Sequence, residues 1–381
     1  MTPISVYVHI PFCTIKCGYC DFNAYAGMGA LQGAYFEAVL AEIAASGDIL
    51  AGREIATIAF GGGTPGESPP ALVGQVIEAL RGAAPVAPDA EVSLEANPGT
   101  TTGGMLRELR TAGVTRISFG AQSFEASELA FLDRIHSPEA TTASVGLARA
   151  AGFEDVGLDL IYAIPGQSMT SWERTLQQAI VLQPDHISTY SLTVEEGTPL
   201  ALRVERGEVM PVEPDAAADM YERATDLLEA AGFRQYELSN WATPGHESRH
   251  NCVYWTGGDY LGLGAGAHGY VGGERYENLA HPRDYISAAQ ARGRPVASAY
   301  TPDRETAMFD WLTLHLRLID GFAPAEFEKR FGVSVEQAAG PVLERARSAG
   351  VLSWEADRVR LTRRGRLLHG EVAAELLAKL K

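Results

Sequence analysis

Cys13, Cys17 and Cys20 stand in a C-x-x-x-C-x-x-C spacing, directly after a β-branched run. Thiolates crowded in one loop hold iron–sulfur clusters. A cubane offers four irons, so three cysteines leave one iron open to the amine and carboxylate of a ligand. A structural zinc is the competing reading, and it needs a fourth ligand, for which His9 is the nearest candidate. Three unrelated buried cysteines are the bland one. The fourth cysteine, Cys252, lies far away in the chain, so the spacing points to a metal or cluster site rather than a disulfide framework.

Other residues carry chemistry at the ends of apolar runs. Gly61-Gly62-Gly63-Thr64-Pro65 follows Ile55–Phe60. Glycine lets the backbone approach a ligand closely, and it equally makes an ordinary tight turn. Glu95 ends the run Glu91–Glu95, where it either contacts a ligand or caps the next helix. Gln122 follows Thr115–Gly120. Arg134, in Leu132-Asp133-Arg134-Ile135-His136, offers a guanidinium fork suited to a carboxylate, or is an exposed charge. Asp159 sits inside the apolar run Val156–Tyr162, where a carboxylate is costly unless it is bonded. Tyr7 and Tyr19 flank the cysteine loop, as shields, ligand contacts or packing. His250-Asn251-Cys252-Val253-Tyr254-Trp255 places an imidazole near two aromatics that could stack on a porphyrin. A polar turn with buried aromatics explains the same residues, and Cys252 is either a thiolate ligand or a small buried side chain.

The elements that position these residues alternate. Extended runs at Ser5–Ile10, Ile55–Phe60, Glu91–Glu95, Thr115–Gly120, Val156–Tyr162 and His186–Ser191 are separated by helical patterns such as Gly33–Ser46, Pro70–Gly82, Gly103–Ala112 and Ser171–Leu182. Gly113 and Gly152 read as left-handed helix caps. Such alternation predicts an α/β fold with a parallel sheet. Six units are too few for a closed eight-stranded barrel and suit a partial (β/α)6 TIM-like barrel, with its site at the C-terminal strand ends. A helix at Ala216–Ala231 leads into Arg234–Asn240, which is expected to extend the sheet. From Pro282 the character changes. Helices at Arg304–Leu318 and Pro341–Ala349, two short strand runs around Glu355-Ala356-Asp357 within Val351–Leu361, and a helix Arg363–Leu380 after the N-cap Thr362 predict a winged-helix-like α+β domain. The expected division is a barrel over 1–240, a connecting segment carrying the His250 motif over 241–290, and a C-terminal domain over 291–381.

Composition sets outer limits. The 381 residues are 46% hydrophobic and 21% charged, ordinary for a globular chain. A net charge of −17 disfavours nucleic acid and anionic lipid as partners. No apolar run reaches the roughly 18 residues of a membrane span, and Met1-Thr2-Pro3 opens without a basic signal region, so a cytoplasmic location is expected. Gly262-Leu263-Gly264-Ala265-Gly266 is glycine-rich but opens no Rossmann unit, so dinucleotide binding is not expected.

On these motifs the chain resembles the radical S-adenosylmethionine superfamily over most of its length. Within it, the chain is similar to the coproporphyrinogen-oxidase-like group. The H-N-x-x-Y-W segment at His250, and Phe22 where the oxygen-independent oxidases carry a further cysteine, make it similar to the heme chaperone HemW family. The resemblance implies a [4Fe–4S] cluster on Cys13, Cys17 and Cys20 whose open iron chelates the methionine moiety of S-adenosylmethionine, and one-electron cleavage to a 5′-deoxyadenosyl radical. It also implies that Gly62, Gly63 and Thr64 bind the methionine amine, Arg134 its carboxylate and Asp159 the ribose, with Glu95 and Gln122 as further contacts. His250 is implied as a heme contact. Heme would then pass to acceptor proteins such as respiratory cytochromes, with no catalytic residue assigned and a homodimer left open. The enzymatic alternative is an oxygen-independent coproporphyrinogen III oxidase. The short lead into the cysteine loop is expected to disfavour it, because those oxidases carry a long N-terminal arm that helps close the site.

Overall fold

The computed structural model describes residues 1–355 and 357–380. Its centre is a parallel sheet of β1 (Thr2–Ile10), β2 (Arg53–Gly62), β3 (Val86–Ala96), β4 (Arg116–Gln122), β5 (Asp155–Tyr162) and β6 (His186–Ser191). Each strand pairs in parallel with the next. Helices follow them as α1 (Gln32–Ala45), α2 (Pro70–Ala83), α3 (Gly103–Ala112), α4 (Pro138–Ala150), α5 (Met169–Val181) and α6 (Pro214–Ala230). This is the expected partial (β/α)6 barrel.

One face of every strand explains the packing. Val6, Val8, Ile58, Phe60, Val92, Leu94, Ile117, Phe119, Val156, Leu158 and Ile187 are buried in a single core with residues of the outer helices. Residues between them point the other way, by the period of two along a strand. Gly113, at φ 110°, caps α3 in the left-handed region, as expected. Helix α5 starts earlier than its apolar pattern suggested, because Ser168 and Ser171 form a reciprocal capping box.

The sheet continues on both sides to twelve strands. The run Arg234–Asn240 does not enter it as one strand. It breaks into β7 (Arg234–Glu237) and β8 (Asn240–Ala242), and only β8 pairs with β6, antiparallel. The Glu237 carboxylate makes that turn, accepting from the Ser239 N–H at 3.0 Å and from the Asn240 amide. Helix α7 (Arg249–Trp255) follows. On the far side, β9 (Tyr260–Leu263) pairs in parallel with β1 and leads into the antiparallel β10 (His268–Val271), β11 (Glu274–Asn278) and β12 (Val296–Tyr300). The glycine-rich segment serves this close pairing: a Cβ on Gly262 would stand 1.9 Å from the His268 carbonyl oxygen.

A second core gathers Met308, Trp311, Leu312, Phe322, Phe327, Val342, Leu343, Val359 and Leu376. Its helices are Arg304–His315, Pro324–Phe331 and Val335–Ser348, followed by the strand pair Leu352–Glu355 and Arg358–Leu361 and the helices Arg363–Leu367 and His369–Leu380. Three helices, a hairpin and a closing helical segment make the winged-helix-like arrangement. Its third helix begins well before Pro341. Ser334 and Gln337 form a capping box, and Pro341 lies inside the helix rather than at its start. Within the expected turn Glu355-Ala356-Asp357, Ala356 lies outside the described residues. No helix among the described residues is long and apolar enough to cross a membrane.

Phe119 is fully buried on the central strand β4. Phe119→Ala should lower unfolding stability by about 3–5 kcal/mol, read from urea melts; a loss near zero would mean that the central core packs otherwise.

Candidate functional site

The inward residues of the strands meet in one cavity of about 470 Å³ at the C-terminal end of the sheet. Ser93 and Glu95 come from β3, Arg116, Ser118, Gly120 and Gln122 from β4, Asp159 from β5, and His186 and Ser188 from β6. Alternation puts them together: while Phe119, Leu158 and Ile187 face the helices, their neighbours face the cavity.

The cysteine loop closes the mouth. Cys13, Cys17 and Cys20 are half-buried free thiols on the same cavity wall. Cys13 Sγ lies 3.4 Å from Thr64 Oγ1, and Arg134 Nη1 approaches Cys17 Sγ at 3.6 Å. Burial raises the thiols of Cys13 and Cys20 above the ordinary range. A coordinated metal would reverse that shift, because metal-bound thiols are deprotonated. Three thiols in one loop, facing a lined cavity, can ligate three irons of a cubane.

The glycine turn after β2 lies under this loop. Gly63 N–H donates to the Ile10 carbonyl and Thr64 N–H to the Phe12 carbonyl, both at 2.8 Å. Gly62 has φ 114°, and a Cβ there would meet the His9 ring at 2.6 Å. Any side chain there would displace the His9 ring, and a Cβ on Gly63 would stand 2.5 Å from the Phe12 carbonyl oxygen beside the cysteine loop. Gln122 also adopts a left-handed φ, 63°, where the β4–β5 register shifts. Such a conformation in a non-glycine residue is costly and tends to mark functional positions.

Arg134 lies at the centre of the wall. Its Nη2 donates to Asn97 Oδ1 at 2.5 Å and to the Gly120 carbonyl at 2.7 Å, while its buried Nε has no partner among the described residues. Asp159 accepts from Ser118 Oγ at 3.0 Å and Ser188 Oγ at 2.6 Å. Burial raises its carboxyl, and these hydroxyls oppose the rise. Each oxygen keeps a further lone pair. Glu95 is pushed up to about 7, first by burial and then by the charge of Asp159, against one hydrogen bond from Gly62 N–H at 3.3 Å.

Tyr19 lies on the wall, but Tyr7 and His250 do not. Tyr7 bonds His9 Nδ1 at 3.0 Å. His250 is buried and holds both ring nitrogens in hydrogen bonds, Nδ1 with Thr57 Oγ1 at 2.7 Å and Nε2 with Tyr254 Oη at 2.8 Å. Burial lowers its imidazole to about 4. Its helix α7 is anchored by Glu91, whose carboxylate accepts the N–H groups of Arg249 and His250. Ser248 and Asn251 face the cavity from this helix. Sequence reasoning missed Asn97, Ser118, Ser188, Ser248 and Asn251. For the strand residues the signal was present: side chains two apart that are polar or absent, at Arg116, Ser118, Gly120 and Gln122 and at His186 and Ser188, on strands whose other face is apolar.

Glu95 generates a pH prediction. Its folded value of about 7 exceeds the ordinary 4.5. The folded chain therefore keeps a proton through that window which the unfolded chain has lost, and stability falls as pH rises. Glu42, also raised to about 7 by burial, adds a similar slope of its own. Urea midpoints for Glu95→Gln should fall less steeply than wild type between about pH 5 and pH 8; equal slopes would sink the assignment.

Comparison with known proteins adds to this geometry. Residues 7–179 match the model of the radical SAM superfamily, and residues 303–368 match that of the HemN C-terminal domain. The chain is 40% identical over 378 residues to the heme chaperone HemW of Mycobacterium tuberculosis, covering 98% of this chain and 95% of that protein. To the heme chaperone HemW of Escherichia coli it is 36% identical over 385 residues, covering 100% and 99%. The structure of Escherichia coli coproporphyrinogen III oxidase, a radical SAM enzyme, superposes with a TM-score of 0.85 at 23% identity, covering 98% of this chain and 90% of the oxidase.

Proposed function

This chain belongs to the heme chaperone HemW family, and on that premise we propose that it binds heme and passes it to acceptor proteins, with a [4Fe–4S] cluster and S-adenosylmethionine held at the cysteine cavity. The observation that carries the cluster is the convergence of three free thiols on one wall of a polar cavity. The family match over nearly the whole chain carries the heme.

The chain's own residues fit the two groups. Cys13, Cys17 and Cys20 are the cluster ligands. Arg134, whose guanidinium is fixed by Asn97 and Gly120 and whose Nε has no partner among the described residues, meets the methionine carboxylate. Gly62, Gly63 and Thr64 present the turn to the methionine amine, and Glu95 offers a carboxylate oxygen beside it. Asp159 keeps acceptor capacity for ribose hydroxyls, in a position fixed by Ser118 and Ser188. Gln122 completes the wall. When bound, the cluster supplies an electron and an open iron site. Neither the oxidase superposition nor the shared fold assigns an activity, since one scaffold hosts many functions.

Three outcomes are expected. Anaerobically reconstituted protein should hold about four irons per chain, lost in Cys13→Ala, Cys17→Ala or Cys20→Ala but retained in Cys252→Ala; equal loss for Cys252 would refute the assignment. Asp159→Ala should weaken S-adenosylmethionine binding about tenfold to a hundredfold in calorimetry, with the cluster intact. Finally, the purified protein should bind hemin with a defined Soret band, and anaerobic turnover with coproporphyrinogen III should yield no decarboxylated porphyrin in excess over protein. Many turnovers would replace the chaperone reading with the oxidase.

A further inference from the structure

Helix α7 separates two cavities. Ser248 and Asn251 at its start face the cysteine cavity. Tyr254 and Trp255 at its end line a second cavity, of about 610 Å³, between the antiparallel edge β10–β12 and the C-terminal helices. That volume lies within the roughly 300–1,000 Å³ of small-molecule sites.

The lining of the second cavity is aromatic and cationic together. Tyr260, Tyr270, Tyr300 and Trp311 join the two aromatics of α7. The Trp255 indole N–H has no partner among the described residues. Arg330 lies at the rim, donating to Tyr270 Oη at 3.0 Å, and Arg275 is ion-paired to Asp310 at 2.8 Å. Flat π-surfaces with a guanidinium at the rim suit a planar, carboxylate-bearing ring.

One imidazole is available there, and it is not His250. His268 on β10 lines the cavity with its side chain 68% exposed, and Glu277 Oε2 stands 3.9 Å from its Nε2. Its other ring nitrogen has no hydrogen-bond partner among the described residues. At 3.9 Å this is not a hydrogen bond, but the exposed ring has only to shift slightly for the carboxylate to accept from Nε2, the usual support for an imidazole that binds metal through its other nitrogen. His250 would have to surrender its bonds to Thr57 or Tyr254 first.

We propose that heme lies in this second cavity, with His268 meeting its iron, Arg330 at its carboxylates, and His250 acting only through Tyr254 as a positioning residue. This rests on the heme reading above.

The test is hemin titration of full-length protein, read by Soret position and dissociation constant. Ala307, half-buried on the helix Arg304–His315, lines the cavity. Ala307→Trp should fill it and weaken hemin binding at least about tenfold, with circular-dichroism melting showing the fold retained. His268→Ala, at an exposed side chain, should shift the Soret band. If wild type binds no hemin, the heme reading itself falls. If wild type binds and both variants match it, heme lies elsewhere and this proposal falls. A Soret change seen in His250→Ala but not in His268→Ala overturns the ligation by His268.

Discussion

Two carboxylates on the concave face of the sheet, Glu95 facing the open cavity and the half-buried Asp159, set the terms for the rest of the barrel. Taking a carboxylate even partly out of water is unfavourable unless it is hydrogen-bonded or paired. Around them the chain places hydroxyls, a glycine N–H and the guanidinium of Arg134. These partners come from different strands, so none works unless neighbouring strands hold register. The apolar convex face supplies that register, through the core shared with the helices. A polar cavity and a stable barrel are thus two faces of one alternation.

The same alternation explains why the site is at the strand ends. The Gly63 and Thr64 N–H groups donate to the Ile10 and Phe12 carbonyls, so the entry to the cysteine loop is held by main chain rather than by flexible side chains. Arg134 is fixed by Asn97 and Gly120 before any ligand arrives. Preorganisation of this kind lowers the cost of binding a small charged ligand.

Helix α7 gives the C-terminal half of the chain its relation to the barrel. Glu91, from β3, anchors its first turn. The His250–Thr57–Ser5 chain of hydrogen bonds ties it to β2 and β1. Its last residues reach the second cavity, and Arg317 stacks over Trp255 at 4.3 Å. One short helix is therefore wall to two cavities. The fold shared with the oxidase leaves this function-bearing detail open, since likeness at 23% identity reports the scaffold.

The sequence by itself determined the (β/α)6 order, because each strand and helix has its own local period and cap. It determined the cysteine loop, because its ligand spacing is local. The winged-helix-like end was legible for the same reason. Only the tertiary structure decided what satisfies Asp159: Ser118 and Ser188 are separated from it by tens of residues, and nothing local links them. Only there did Arg234–Asn240 break into a hairpin, since Glu237 makes the turn by reaching Ser239 and Asn240 as the chain doubles back. The short β9, lying parallel to β1, carries no period long enough to read. His250 is the sharpest case. Its motif was plain, but whether an imidazole is free for iron depends on Thr57 and Tyr254, and pairing between buried polar groups is settled by three-dimensional proximity, which a residue pattern does not encode.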